Sequence, residues 1–402
     1  MMEAVLLLAA SLPIMGWWGI PEKEVSRARY REAREAGFTH LMQFAGSTDR
    51  MLRYLDMAEA EGLKLEVKLS QTYTEPEKVA AALKDHPALA MYHVKDEPPV
   101  QDFAKWAGIM KRLSSVDPKH PCYLNLLADS TDPQRWLGVP KYEDYLARAL
   151  EEMPLPFVSA DYYPCMVTDK DMARPYRDPD GRVVVKDKWY NQLEIISAAA
   201  RRKKLMLSLF ACDVAHYNVD YVYPVPTLGQ LRLQQYVNLA YGAQFLQYFT
   251  YWNPDPNGSL HKFHESIIRF DGTRGEVYDL VRALNRELQA RAFAFLGFEV
   301  VSVRHTGETI PMGTTRLERL PPWVKSLSTP DGGAAVSHLR KGNFETLCVV
   351  NRSPVRELTL DIAFGPGIRR VLDDGAAAAA ESHCGRYHLP PGYAEIFIRK
   401  GK

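Results

Sequence analysis

The stretch Ala88-Leu89-Ala90-Met91-Tyr92-His93-Val94-Lys95-Asp96-Glu97-Pro98-Pro99 decides how this chain is read. Its first half is apolar without alternation, which describes a strand buried on both faces, as parallel strands covered by helices are. Two acids and two prolines then end it abruptly. Outward from it the same unit recurs. Short apolar runs at residues 14–19, 39–45, 64–70, 88–94, 122–127, 157–162, 204–211 and 244–251 alternate with longer amphipathic stretches, the trace that βα units leave. Eight such units predict an α/β fold, one (β/α)8 barrel of TIM type, over residues 1–297. A doubly wound open sheet comes second, because no glycine-rich phosphate loop follows the first run.

Caps mark the helices between the runs. Pro21-Glu22-Lys23-Glu24 predicts the start of the first helix, and Ala36-Gly37 its end. Thr74 is read as the cap of a helix with Pro76 in its first turn, and a seventh helix is expected from 227 to 241, stopping at Gly242. A last helix is expected at 276–296. After Gly297 the runs become short and alternating: 299–303, 335–339, 345–350, 357–362, 369–372, 385–388 and 394–398. They predict a small all-β, sandwich-like domain over residues 298–402, with the alanine run 376–380 as a surface loop or one helical turn.

Composition narrows the function classes. With 50 Lys+Arg against 49 Asp+Glu, a net charge of +1 and no basic run, the chain offers no electrostatic footprint for nucleic acid. The apolar stretch 4–10 is far short of the roughly 20 residues a membrane span needs. It is open as a secretory remnant, although no Lys or Arg precedes it; a soluble protein is expected, with the cytoplasm favoured over export. Five cysteines without a CxxC spacing argue for buried thiols over a disulfide framework or a zinc site. No metal or other cofactor is expected. The 21 Tyr, 15 Phe and 7 Trp exceed what a core ordinarily needs.

In a barrel of this kind reacting groups stand at the C-terminal ends of the strands. There the chain places Trp17 and Trp18, Gln43, Asp96 and Glu97, Asn125, Asp161, Tyr162 and Tyr163, Asp213, and Tyr251 and Trp252. Aromatic rings, carboxylates and amides around one mouth describe a carbohydrate pocket: sugars present flat C–H faces for stacking and vicinal hydroxyls for paired hydrogen bonds. The bland reading of any one Trp or Tyr is packing under a loop. His93 alternates with Val94, so it either reaches the mouth or is a hydrogen-bonded core histidine. Pro98 is expected to hold Glu97 in an extended backbone, with Asp96 and Glu97 addressing opposite sides. The competing reading of the two acids is an acidic start for the helix after Pro99.

The barrel, an eighth-strand tryptophan and the Glu97-Pro98 pair resemble the clan of retaining β-glycosidases that includes the family 42 β-galactosidases, whose acid/base would fall on Glu97. Two positions depart from that clan. Asp96 stands where Asn is usual, and residues 207–216 contain no glutamate to serve as a nucleophile. The adjacent Asp96-Glu97 pair is instead similar to that of the family 20 and family 123 β-N-acetylhexosaminidases. That resemblance implies an exo-acting, retaining enzyme in which the substrate's 2-acetamido oxygen attacks the anomeric carbon. Glu97 would then be general acid and base, and Asp96 would hold the acetamido N–H. Tyr162, Tyr163 or Tyr251 would steady its oxygen, Trp252 with Trp17 or Trp18 would wall the pocket, and Asp161 and Asn125 would bind hydroxyls. The family 123 likeness favours N-acetylgalactosamine, and the expected partner is a glycan with a terminal β-linked N-acetylhexosamine. The alternatives are a β-galactosidase-like hydrolase with Asp161 or Asp213 as nucleophile, and a silent carbohydrate-binding barrel. The β domain is read as packing on the barrel, contacting a second copy in a homo-oligomer, or binding glycan; it shows no aromatic series for the last.

Overall fold

The computed structural model describes residues 11–129, 132–167, 183–217, 222–257, 262–379 and 384–401. The apolar stretch 4–10 and Ala380 lie outside them. Eight parallel strands close into a barrel: β1 Ile14–Gly16, β2 His40–Phe44, β3 Lys64–Lys68, β4 Leu89–Asp96, β5 Cys122–Leu126, β6 Phe157–Ala160, β7 Met206–Cys212 and β8 Ala243–Phe249. Each pairs with its sequence neighbours, and β8 returns to β1 through the register Ile14 to Leu246. The outer layer holds α1 Arg27–Glu35, α2 Thr48–Ala60, α3 Pro76–Leu83, α4 Phe103–Val116, α5 Tyr142–Glu152, α6 Lys188–Lys203, α7 Leu228–Ala240 and α8 Val277–Arg291. None of the described helices is long and apolar enough to cross a membrane.

The caps explain several boundaries and correct others. At α7 the Thr227 side chain accepts from the Gln230 amide while the Gln230 side chain accepts from the Thr227 amide, a reciprocal capping box. The first helix begins later than expected. Ser26 is its cap, accepting from Arg29 N, and Pro21 to Glu24 form a turn ahead of it. Thr74 does not cap α3 either; its hydroxyl is bound to Gln71 O, and Glu75 takes the cap position.

The barrel interior is filled by Met15, Trp17, Met42, Met91, Tyr123, Phe157, Phe210 and Phe245. Threaded through this layer is a polar chain. Trp17 Nε1 donates to Tyr123 Oη (3.1 Å) and Gln247 Oε1 (3.0 Å), and Gln247 Nε2 donates to Ser159 Oγ (3.0 Å) and Ser208 Oγ (2.7 Å). Ser159 Oγ in turn donates to Asn125 Oδ1 at 3.0 Å. Buried polar groups are stable only when paired, so this chain fixes rotamers from the centre of the barrel up to its mouth.

Two further regions of β structure are present. Five short strands, Cys165–Val167, Val183–Val185, His216–Tyr217, Val222–Tyr223 and Lys262–Phe263, come from the loops after β6, β7 and β8 and pair into a sheet at the mouth. The sequence reading assigned no strands to those loops. Beyond α8, antiparallel strands form a six-stranded sheet and a three-stranded sheet enclosing a core of Trp323, Leu347, Leu360, Phe364 and Phe397. Val324–Ser328 is a strand that the sequence reading missed, since only Val324 and Leu327 in it are apolar. Ala377–Ala379 pairs with Arg369–Val371 as an edge strand, so the alanine run is neither loop nor helical turn there.

Candidate active site

The mouth of the barrel holds a cavity of about 210 Å³ lined by Trp17, Asp96, Glu97, Asn125, Asp161, Tyr163, Phe210, His216, Phe249 and Phe263. A space of this size suits one sugar ring rather than a chain of them. A larger cavity, about 520 Å³ around Arg201, Met206 and Val300, lies at the opposite end of the strands and gathers no chemistry of this kind.

Asp96 is the last residue of β4, and the ladder continues one step further through Glu97 N donating to Asn125 O at 2.9 Å. Glu97 then takes φ +49°. Its expected extended backbone is therefore wrong: the chain turns through the left-handed region, and Tyr145 Oη, donating to Pro98 O at 2.8 Å, pins the far side of the turn. The turn has a chemical consequence. Asp96 and Glu97, expected on opposite sides, both reach the same cavity. A bulky residue at positive φ is strained and persists where the surroundings hold it.

Asn125 Nδ2 ties the acids together, donating to Asp161 Oδ1 at 2.8 Å and to Asp96 Oδ1 at 3.3 Å. The Glu97 carboxyl shares the cavity with Asp161 and Asp96 and feels the charge of both. Burial, then the charges of Asp161 and Asp96, push the Glu97 carboxyl well above the usual carboxylate range. Burial and the Asp161 charge push Asp96 up to about 6, against the opposing pull of Asn125, Lys68 and Lys95. Asp161 is raised by burial, but the bonds it accepts from Asn125, Tyr163 and Glu97 favour its anion. The cluster therefore keeps its proton on Glu97.

Much of the rest of the lining is an aromatic wall. Tyr163 stacks on Phe249 at 5.4 Å, and His216 stacks between Tyr223 at 4.6 Å and Phe263 at 5.2 Å. Of the residues singled out from sequence, Trp17, Asp96, Glu97, Asn125, Asp161 and Tyr163 are brought together. The others stand elsewhere. Gln43 is fully buried, bonded to Ile20 O and Tyr30 Oη. His93 is a core histidine whose Nδ1 meets the buried Glu66 carboxyl at 2.6 Å. Tyr162 lies under the Lys186 ammonium at 5.0 Å.

Asp213 is wholly buried and does not line the cavity; burial pushes its carboxyl well above the usual range. Tyr251 and Trp252 are also buried, Tyr251 against Phe38 at 5.4 Å and Trp252 under the Arg29 guanidinium at 5.0 Å. The reason is positional: β8 ends at Phe249, two residues before the expected boundary, and Gly16 leaves room for Tyr251, whose Cβ a Gly16 side chain would meet at 2.7 Å. Phe249 takes the wall position assigned to Trp252. Trp18 is 40% exposed outside the cavity. Sequence reasoning passed over Phe210, Phe249 and Phe263, and left His216 without a role. The alternation of β7 was a usable signal for Phe210; Phe263 arrives through the mouth sheet, which leaves no such signal.

A family model of the β-galactosidases of glycoside hydrolase family 42 matches residues 139–291, from just before α5 to the end of α8. No curated protein sequence matches the chain. Among solved structures, a family 5 glycoside hydrolase from Bacteroides vulgatus aligns at TM-score 0.59 and 10% identity, covering 98% of this chain and 90% of the other. A family 39 glycoside hydrolase from Bacteroides cellulosilyticus aligns at TM-score 0.53 and 14% identity, covering 97% and 81%. The chain thus has a fold that glycoside hydrolases use: a TIM barrel followed by antiparallel β-sheets.

Proposed function

We propose that the chain is an exo-acting glycoside hydrolase that cleaves a terminal β-linked N-acetylhexosaminide, with the substrate's 2-acetamido oxygen as nucleophile. One observation carries this reading. The carboxyls lining the cavity, Asp96, Glu97 and Asp161, stand together at the ends of β4 and β6, with Asn125 bridging Asp96 and Asp161, and most of the remaining lining is aromatic. Retaining hydrolysis by two protein carboxylates needs them about 5–5.5 Å apart with the sugar between, and inverting hydrolysis needs about 6.5–9.5 Å. Asp213, the acid just past the end of β7, is wholly buried and outside the cavity lining, so it does not face Glu97 as such a partner. A nucleophile supplied by the sugar removes the requirement.

In this reading Glu97 enters protonated and gives its proton to the leaving oxygen, after which it takes a proton from the attacking water. Asp96, ionised above about pH 6, accepts from the acetamido N–H and stabilises the positive charge that develops as the ring closes. Tyr163, the one of the three candidate tyrosines that lines the cavity, would meet the acetamido oxygen, and Trp17, Phe210 and Phe249 would pack the sugar face and methyl group. N-acetylgalactosamine remains the preferred sugar on the family 123 likeness alone.

The family 42 match over residues 139–291 favours a second reading, a β-galactosidase-type hydrolase with Asp161 as nucleophile. A panel of aryl β-glycosides with and without the 2-acetamido group separates the two. The first reading predicts turnover of the N-acetylated members and inhibition by a thiazoline mimic of the cyclised intermediate. Turnover of plain galactosides with indifference to the thiazoline would favour the second.

A further inference from the structure

Beside the cavity, on the β1–β4 side of the mouth, stands a second surface that the proposed chemistry leaves unused. Trp18, the neighbour of the cavity-lining Trp17, has φ +53° and a 40% exposed indole. Its backbone is anchored, since Trp18 O accepts from Trp252 N at 2.9 Å. The indole stands edge-to-face on Phe44 with 5.6 Å between centroids, and Phe44 packs on the cluster that contains Trp17. A strained backbone that holds a large aromatic side chain in solvent is costly on both counts, and such strain concentrates at ligand sites.

The same surface carries positive charge. Lys68, from the end of β3, lies 5.0 Å from the Phe44 ring, and Lys95, from β4, lies 5.8 Å from the Trp106 ring. Both ammonium groups act on Asp96 and repel one another, yet neither is in an ion pair among the described residues. Two cations and one stacking platform border the acid that holds the sugar's amide. Neutral leaving groups have no use for that charge.

We infer that Trp18, Phe44, Lys68 and Lys95 form the leaving-group subsite, and that it takes a pyranose ring bearing an anionic substituent, a carboxylate or a sulfate. The inference rests on the hydrolase reading: the ring stacks on Trp18 while the lysines bind the anion, which places the glycosidic oxygen at Glu97.

The test compares one N-acetylhexosaminide carried on p-nitrophenol, glucose, glucuronic acid and glucose 6-sulfate. The expected result is a kcat/KM about tenfold or more higher for an acidic disaccharide than for the neutral one, the scale of a charge-assisted hydrogen bond. The carboxylate and sulfate arms identify the anion. Lys95→Gln should erase the preference, and Trp18→Ala should raise KM for acidic and neutral disaccharides alike. Equal kcat/KM for acidic and neutral disaccharides, or a preference that survives Lys95→Gln, overturns the proposal. A binding arm separates its failure from that of the hydrolase reading. Free glucuronic acid or glucose 6-sulfate should quench tryptophan fluorescence in the intact chain and not in Trp18→Ala. Quenching without aryl glycoside turnover removes the hydrolase reading alone; no quenching by either sugar removes the subsite.

Discussion

At the scale of single residues, the site is a set of acids held where the fold would be more stable without their charges. Under the proposed mechanism Glu97→Gln removes the proton donor, and hydrolysis of substrates with poor leaving groups should fall about 10²–10⁴-fold, measured as kcat on alkyl or glycan substrates. The pH profile follows from the same shifts. Activity should rise with pH through about 6 as Asp96 ionises, then decline at higher pH as Glu97 loses its proton; a flat profile between pH 5 and 7 contradicts the Asp96 assignment. The stability consequence has the opposite sign. Asp96 binds its proton more tightly folded than unfolded, so its charge destabilises the fold above about pH 6 and has no effect below the ordinary aspartate range, near 4. Asp96→Asn should therefore raise Tm at pH 7–8, by up to about 3 kcal/mol of stability, and leave it unchanged below pH 4, while activity is lost. Asp96, Glu97, Asp161 and Tyr163 were legible because strand tips of a barrel are addressable from sequence. The direction of Glu97 was not, because proline's preference for an extended predecessor lost to the β5 ladder and the Tyr145 hydrogen bond.

At the scale of elements, what could be read depended on whether the deciding interaction is local. The α7 capping box, Thr227 with Gln230, lies within four residues at the start that the sequence reading gave this helix, although the box itself was not singled out. Its removal, Thr227→Ala, should cost about 1 kcal/mol, seen as a lower denaturation midpoint. Tyr251 and Trp252 were misplaced because burial at the end of β8 is set by Gly16, Phe38 and Arg29, all more than two hundred residues away in sequence. The mouth sheet was invisible for the same reason: strands of two or three residues drawn from three different loops carry no periodicity of their own. Yet that sheet supplies His216, Tyr223 and Phe263, three of the five rings of the aromatic wall.

At the scale of the whole molecule, the C-terminal sheets are tied to the barrel's helices by side chains that neither part buries alone. Arg291 at the end of α8 is fully buried; it donates to Tyr236 Oη at 2.7 Å and to Ala394 O at 2.6 Å, and pairs with Glu287 at 3.5 Å. Ser337 Oγ and Thr346 Oγ1 donate to Ala240 O and Ala294 O. Val350, Ala394 and Ile396 share one hydrophobic cluster with Leu231, Val281 and Leu288. Breaking a buried charge network typically costs about 3–5 kcal/mol, so Arg291→Ala should lower the unfolding free energy on that scale in urea titrations. Of the three roles considered for the β domain, this packing explains its inner face.

The claim on which the functional account depends is that the sugar's own amide attacks the anomeric carbon. A series of aryl N-acylhexosaminides in which the acetyl methyl carries none, one, two or three fluorines tests it directly, because each fluorine weakens the amide oxygen as a nucleophile while leaving Glu97 and the leaving group untouched. The account predicts that kcat falls steeply and progressively along the series. A kcat that stays level from acetyl to trifluoroacetyl would contradict it and assign the attack to a protein carboxylate.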